Sequence, residues 1–181
     1  MRFVYGKQEM RTLARSQESG FLLTNGLGGY AALTAAYSAN RCDQGLLIAA
    51  VRAPNERLTL VHRMREQLTV EGKSYFLSTQ EFADGTPPED GYRNLSFFTY
   101  ENIPHWRYHI CGVRVTRTMA MTYGQNTTAL LYRVENQSDA PCTLTAEPFV
   151  KFAPKEQALE AAPQIAFAQG KVTCGNSALH I

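Results

Sequence analysis

Several features that would announce a function are missing from this 181-residue sequence. Its apolar runs fall far short of the ~20 residues of a membrane helix, so no membrane span is expected. The N-terminus, MRFVYGKQEM, has none of the apolar core of a signal peptide. The 18 Lys and Arg residues against 16 Asp and Glu leave a formal charge of only +2, with no basic block, which argues against a nucleic-acid partner. The arginines at 52, 57, 63 and 65 are spread through strand-like sequence and read as a solvated face. The four cysteines, Cys42, Cys111, Cys142 and Cys174, form no CxxC pair and join no histidine cluster, so no metal site is expected. They read as reduced, mostly buried thiols of a cytoplasmic protein. A GxSxG nucleophile elbow is missing, and so is the GK[ST] ending of a phosphate loop; no cofactor is expected. Helical periodicity is almost absent too. The exception is PKEQALEAA at 154–162, where Pro154 suits the first helical position and at most two turns are predicted.

What is present is alternation. Segments 57–62, 65–70 and 113–117 alternate in polarity, and 127–136 (TTALLYRVEN) and 142–150 (CTLTAEPFV) are rich in Thr, Val and aromatics. Side chains point to opposite faces along a strand, so this period marks half-buried strands. Glu71-Gly72 lies between QLTV and KSYFL, and Gln169-Gly170 between IAFA and KVTC, at the spacing of tight hairpins. Residues 136–139 divide two further strands. Many short strands with close turns predict an all-β chain, an antiparallel β-sandwich with few or no helices. Residues 1–181 read as one sandwich domain, with 83–94 (ADGTPPEDGYRN) as a loop. The closing KVTCGNSALHI has just turned at Gly175-Asn176, so the sandwich is expected to be truncated, an N-terminal piece of a longer protein.

Residues 21–47, FLLTNGLGGYAALTAAYSANRCDQGLL, stand apart. Gly26, Gly28 and Gly29 remove Cβ atoms where the backbone turns sharply or lies close to something. Around them Asn25, Tyr30, Asn40, Arg41 and Gln44 make a hydrogen-bonding and stacking set suited to a polyhydroxylated ligand. Gly45 closes the second polar knot, which begins at Ser38. The turn has neither the GxGxxG spacing nor the following helix of a nucleotide site. A hairpin connection and a ligand-facing loop both account for it. Elsewhere the chemistry is thin. Asp84, Glu89 and Asp90 read as solvated loop acids, and Glu147 as an outward strand charge. His105 and His109 share a strand face ~13 Å apart, too far for one metal ion. The aromatics Tyr92, Phe97, Phe98, Tyr100, Trp106 and Tyr108 read as core, with Trp106 alternatively a sugar-stacking platform.

Three blocks in order then carry a family resemblance. FLLTNGLGGYAALTAAYSANRCDQGLLIAA resembles the (W/F)LxTNGLGGY…TRxYHGLL opening of bacterial and archaeal glycogen debranching enzymes of the amylo-α-1,6-glucosidase type. GYRNLSFF resembles their GY-R-x-L-x-x-F segment. PHWRYHICGVRVTRTMAMTYGQNTTALLYRVEN resembles their P-x-W-x-Y…G…(V/L)x(R/K)xxxMxxGQNTxxxxYRL stretch. The resemblance spans about residues 18–150. It implies an antiparallel β-supersandwich that precedes a catalytic (α/α)6 barrel. That barrel carries the carboxylates that hydrolyse α-1,6 branch points of glycogen or related α-glucans. On this resemblance the barrel lies outside the 181 residues, no catalytic residue is assigned within them, and the fragment alone is inactive. The sandwich would support the barrel and line its cleft, meeting α-glucan through the parent enzyme. One departure stands out: Asp43 and Gln44 occupy the family's Tyr and His positions, while Arg41 and Gly45 match.

The candidate substrate-binding residues are therefore Asn25, Tyr30, Arg41, Gln44 and Trp106, with Gly26, Gly28, Gly29 and Gly45 as turn formers. Two other readings stay open. One is a stand-alone carbohydrate-binding module; the other is a structural sandwich used for subunit contacts.

Overall fold

The computed structural model of the chain describes residues 2–53, 55–159 and 162–181. Strand makes up 56% and helix 5%, so the alternation in the sequence sets the class. The first half runs β1 (Phe3–Tyr5), α1 (Leu13–Ser16), β2 (Gly20–Thr24), β3 (Tyr30–Thr34), β4 (Gly45–Arg52), β5 (Glu56–Val70), β6 (Lys73–Phe76), β7 (Thr79–Gln80) and β8 (Glu89–Asp90). The second half runs α2 (Gly91–Asn94), β9 (Leu95–Tyr100), β10 (Pro104–Ile110), β11 (Val113–Met121), β12 (Thr128–Asn136), β13 (Cys142–Pro154), β14 (Ala166–Ala168), β15 (Lys171–Cys174) and β16 (Ser177–His180). Both helices are single turns, and no helix is long and apolar enough to cross a membrane among the described residues.

One sheet has the order β1-β9-β10-β11-β12, and a second has β13-β5-β4-β3-β2 with β6 also on β5; every pairing is antiparallel. The two predicted hairpins are present. Glu71-Gly72 joins β5 to β6 with φ of 50° and 74°, and Gln169-Gly170 joins β14 to β15 with 50° and 73°, as a type I′ turn requires. The segments 57–62 and 65–70 are one 15-residue strand, which Arg63 and Met64 carry across a break in the alternation where the register with β13 shifts.

The sheets face each other across a single main core. Trp106, Tyr108 and Ile110 from β10 and Val113, Val115 and Met119 from β11 pack against Phe21, Leu33, Leu46, Leu68 and Val70 of the opposite sheet. Burying each such side chain is worth about 1.5–3 kcal/mol. The same alternation drives Arg117 inward, where it is wholly buried. Its guanidinium pairs with the equally buried Glu66 of β5, donates to Tyr108 Oη at 2.8 Å and lies 3.2 Å from the Tyr37 ring centroid. Tyr132 Oη donates to the other Glu66 oxygen at 2.5 Å, so this cluster bolts the two sheets together. A smaller apolar cluster, Leu47, Ala49, Leu60, Val172 and Leu179, seats the β14–β15–β16 sheet on β4 and β5.

Four expectations are corrected. Residues 154–159 form no helix: Pro154 is the last residue of β13, paired with Leu58, and 160–161 lie outside the described residues. The 83–94 loop ends early, since its last six residues form β8 and α2. Glu89 and Arg63 are not solvated. They make a buried ion pair at 2.9 Å, with Ser78 Oγ donating to Glu89 at 2.7 Å and the guanidinium 4.0 Å from the Phe149 ring. The cysteines are not mostly buried either; all four are free, with Cys42 and Cys111 exposed and the other two intermediate.

Candidate functional site

Two of the three motif blocks meet at one end of the sandwich. Asn25 closes the β2–β3 turn: its Oδ1 accepts from the backbone N–H groups of Leu27 and Gly29, each at 3.0 Å. Its Nδ2 donates to the Gln125 carbonyl at 3.0 Å and to Asn126 Oδ1 at 2.9 Å in the β11–β12 turn. Asn126 Oδ1 also accepts from Ala50 N at 3.0 Å, and its Nδ2 donates to Ala50 O at 2.9 Å, reaching β4. Gly124 N donates to Asn25 O at 2.7 Å. Gly28 has φ 95°, a conformation side chains rarely adopt. Gly29 has ordinary φ, but a Cβ there would stand 2.6 Å from Asn25 Nδ2 and 2.8 Å from Asn126 Oδ1. The glycines are therefore part of a clasp between the sheets. Asn25 is wholly buried with its side-chain groups committed to that clasp, so it is not a surface contact.

Trp106 is corrected in the same way. It is wholly buried, its indole N–H donates to Ala35 O at 2.9 Å, and Phe21, Tyr37 and Phe98 surround it at centroid distances of 5.1–5.3 Å. Position 106 lies on the inward face of β10 with Tyr108 and Ile110, and no ring face is open to a ligand. Gly45 forms no turn. It is the first residue of β4, and a Cβ there would come within 3.2 Å of Val61 O and of Ile48 Cγ1.

The other three candidates come together. Tyr30, Arg41 and Gln44 line a groove of about 740 Å³ over the outer face of β2 and β3. Tyr30 is half-buried, and its hydroxyl donates to Asp43 O at 2.8 Å, which fixes the ring against the knot. Burial raises the Tyr30 pKa, Lys155 opposes that and Asp43 adds to it, so the hydroxyl remains a neutral donor. Arg41 bonds both carboxylate oxygens of Asp43, at 3.2 and 2.9 Å, on an exposed rim. Gln44 Oε1 accepts from Asn40 N at 2.9 Å and Arg41 N at 3.2 Å, closing the knot as an amide can and a histidine ring does differently. The two departures from the motif thus work locally: Asp43 holds Arg41, and Gln44 caps the turn.

Two groove residues were not anticipated. Arg57 and Lys155 each hold their cation 6.0 Å from the Tyr30 ring centroid, and Arg57 Nε donates to Gly28 O. They meet because β13 pairs with β5, which brings Lys155 N to Arg57 O at 3.0 Å. Nothing in a linear reading shows which strands pair.

Behind the knot, burial lowers the His62 pKa below its ordinary 6.5; Lys151 and Arg63 add to this, and the backbone of Gln44 opposes it. The fold thus holds His62 neutral, while the unfolded chain takes up a proton as pH falls through 6.5. Its contribution is complete above that value and drains away below it. Urea midpoints measured from pH 8 to pH 5 are expected to fall on the acid side, and His62→Gln to make that fall shallower. An unchanged slope in the variant contradicts the assignment.

Comparison with known proteins adds a family. No curated protein and no solved structure matches the chain. The family model for the glycogen debranching enzyme N terminal matches residues 20–180, which takes in the clasp, the knot and all of the groove lining except residues 17–19. The chain belongs to the glycogen debranching enzyme N-terminal family.

Proposed function

We propose that this chain is the non-catalytic N-terminal sandwich of a cytoplasmic debranching enzyme that hydrolyses α-1,6 branch points of glycogen or a related α-glucan. On this reading the groove holds a glucan chain beside a catalytic (α/α)6 barrel carried elsewhere in the polypeptide. The supporting observation is the groove itself: a half-buried aromatic ring, Tyr30, walled by the backbone of Gly28 and Gly29 and rimmed by Arg41, Asp43 and Gln44. A pyranose has apolar C–H faces and an equatorial belt of hydroxyls. It therefore suits a site that pairs one ring face with several polar groups. Gln44, with its Oε1 committed to the knot, has amide N–H groups left to donate, and Arg57 brings further N–H donors to the same wall. Four free cysteines, two of them exposed, suit a reducing compartment.

The test is calorimetric titration of the chain with maltoheptaose. Saturable binding is expected, weakened roughly tenfold by Tyr30→Ala, since an aromatic contact of this kind is worth about 1.5 kcal/mol. Arg41→Ala is expected to act more mildly, because its charge is already paired on an exposed rim. Absence of heat at millimolar maltoheptaose overturns the reading of the groove. A stand-alone binding module predicts the same titration and differs only in needing no barrel.

A further inference from the structure

The motif turn has a second side, and an aromatic ring lies against it. Tyr123 is 85% exposed, on the turn between β11 and β12. The backbone beneath it is held. Thr122 N donates to Thr127 O at 3.1 Å, Gln125 N to Thr122 O at 3.3 Å and Gly124 N to Asn25 O at 2.7 Å. Its ring rests where a Cβ of residue 26 would be: that atom would stand 3.0 Å from Tyr123 Cζ and 3.1 Å from Cδ2. A bare glycine thus seats the ring, and the rest of the ring faces water.

An aromatic side chain so exposed buries little of its own apolar surface, and a packing role does not explain it. Its position does suggest one. Gly26, which seats Tyr123, is in the same six-residue turn as Gly28, Gly29 and Tyr30, which wall the groove. The groove wall at Gly28 and Gly29 is thus separated from the residue that seats the Tyr123 ring by Leu27 alone. We propose that Tyr123 is the outer stacking residue of an extended α-glucan track that begins at Tyr30, taking the apolar face of a glucose unit beyond the groove. This rests on the glucan reading of the groove. It gives Tyr123 the stacking role that Trp106, wholly buried, does not fill.

The backbone that carries the ring is held, and removing the ring leaves the clasp bonds intact, since those run through Asn25, Gly124, Gln125 and Asn126. Tyr123→Ala is therefore expected to fold and melt like the unaltered chain. The experiment is calorimetric titration of the unaltered chain, Tyr123→Ala, Tyr123→Phe and Tyr30→Ala with maltotriose and maltoheptaose. Tyr123→Ala is expected to weaken maltoheptaose roughly three- to tenfold and to leave maltotriose unchanged. Tyr123→Phe should bind both like the unaltered chain, because the ring and not the hydroxyl does the stacking. Tyr30→Ala should weaken both sugars. If Tyr123→Ala binds maltoheptaose normally, or loses both sugars equally, or if Tyr123→Phe behaves like the alanine variant, the track past the turn is overturned while the groove reading stands. If the unaltered chain binds neither sugar, both are overturned.

Discussion

Replacing Arg117 by methionine is expected to cost about 3–5 kcal/mol of stability, the loss seen when one partner of a buried ion pair is removed. For a chain of this size that is a drop of about 6–20 °C in melting temperature. The reason is what stays behind. Glu66 is wholly buried and faces Arg117 across the two sheets, so its carboxylate would be left without its cation. Burial alone works against the charged guanidinium, but Glu66, Tyr108 and Tyr37 more than offset it and the Arg117 pKa is raised. The neighbouring hydroxyls show the same field: burial and then Glu66 raise the Tyr132 pKa, and so for Tyr37. Yet the pair is not ideally satisfied, since Arg117 Nε has no partner among the described residues. The double variant Arg117→Met with Glu66→Gln is therefore expected to recover most of the loss, because no uncompensated charge remains. Thermal unfolding of both variants checks this. A single variant within about 1 kcal/mol of the unaltered chain removes the cluster from any central role in holding the sheets together.

Asn25→Ala is expected to be the second severe change, at about 3 kcal/mol. Four hydrogen bonds leave with one amide group, and the Gly29 N–H is left buried with no acceptor. Asn126 loses a donor at the same time, so only the backbone bond from Gly124 N to Asn25 O still ties the β2–β3 turn to the β11–β12 turn. Hydrogen exchange should show this locally: the amides of Leu27, Gly29 and Gly124 are expected to lose protection before those of β10 and β11. If exchange at those three amides is unchanged while global stability falls, the clasp is not what Asn25 provides. Because Tyr30 follows this turn directly, a loosened clasp is also expected to weaken glucan binding without touching a groove side chain.

The sequence disclosed the strands more readily than the site, and the reason is physical. Period-two alternation and the Glu71-Gly72 and Gln169-Gly170 turns are local, so the sheet segments could be read directly. The Cys111-Gly112 turn, with φ of 48° and 77°, has the same geometry but a first residue that carries no turn signal. PKEQALEAA reads as a helix on propensity, and Pro154 nevertheless ends a strand because β5 supplies its partner. The site suffered more from this tertiary override. Asn25 and Trp106 have ligand-binding chemistry, but Asn25 faces another turn and Trp106 faces the core. Arg57 and Lys155 reached Tyr30 through strand pairing, and Glu89 reached Arg63 across 26 positions of sequence. The motif glycines were legible as close approach. Their contacts, Asn126 for Gly29 and Tyr123 for Gly26, both lie in the third motif block, but no local pattern says that the two blocks meet.

The most direct test of the glucan groove is residue by residue. Backbone amide chemical shifts of the chain should be followed while maltoheptaose is added. The account predicts that the largest shifts fall at Gly28, Gly29, Tyr30, Arg41 and Gln44, with little change in the buried strands β10 and β11. Shifts confined to another surface, or none at millimolar sugar, would contradict it.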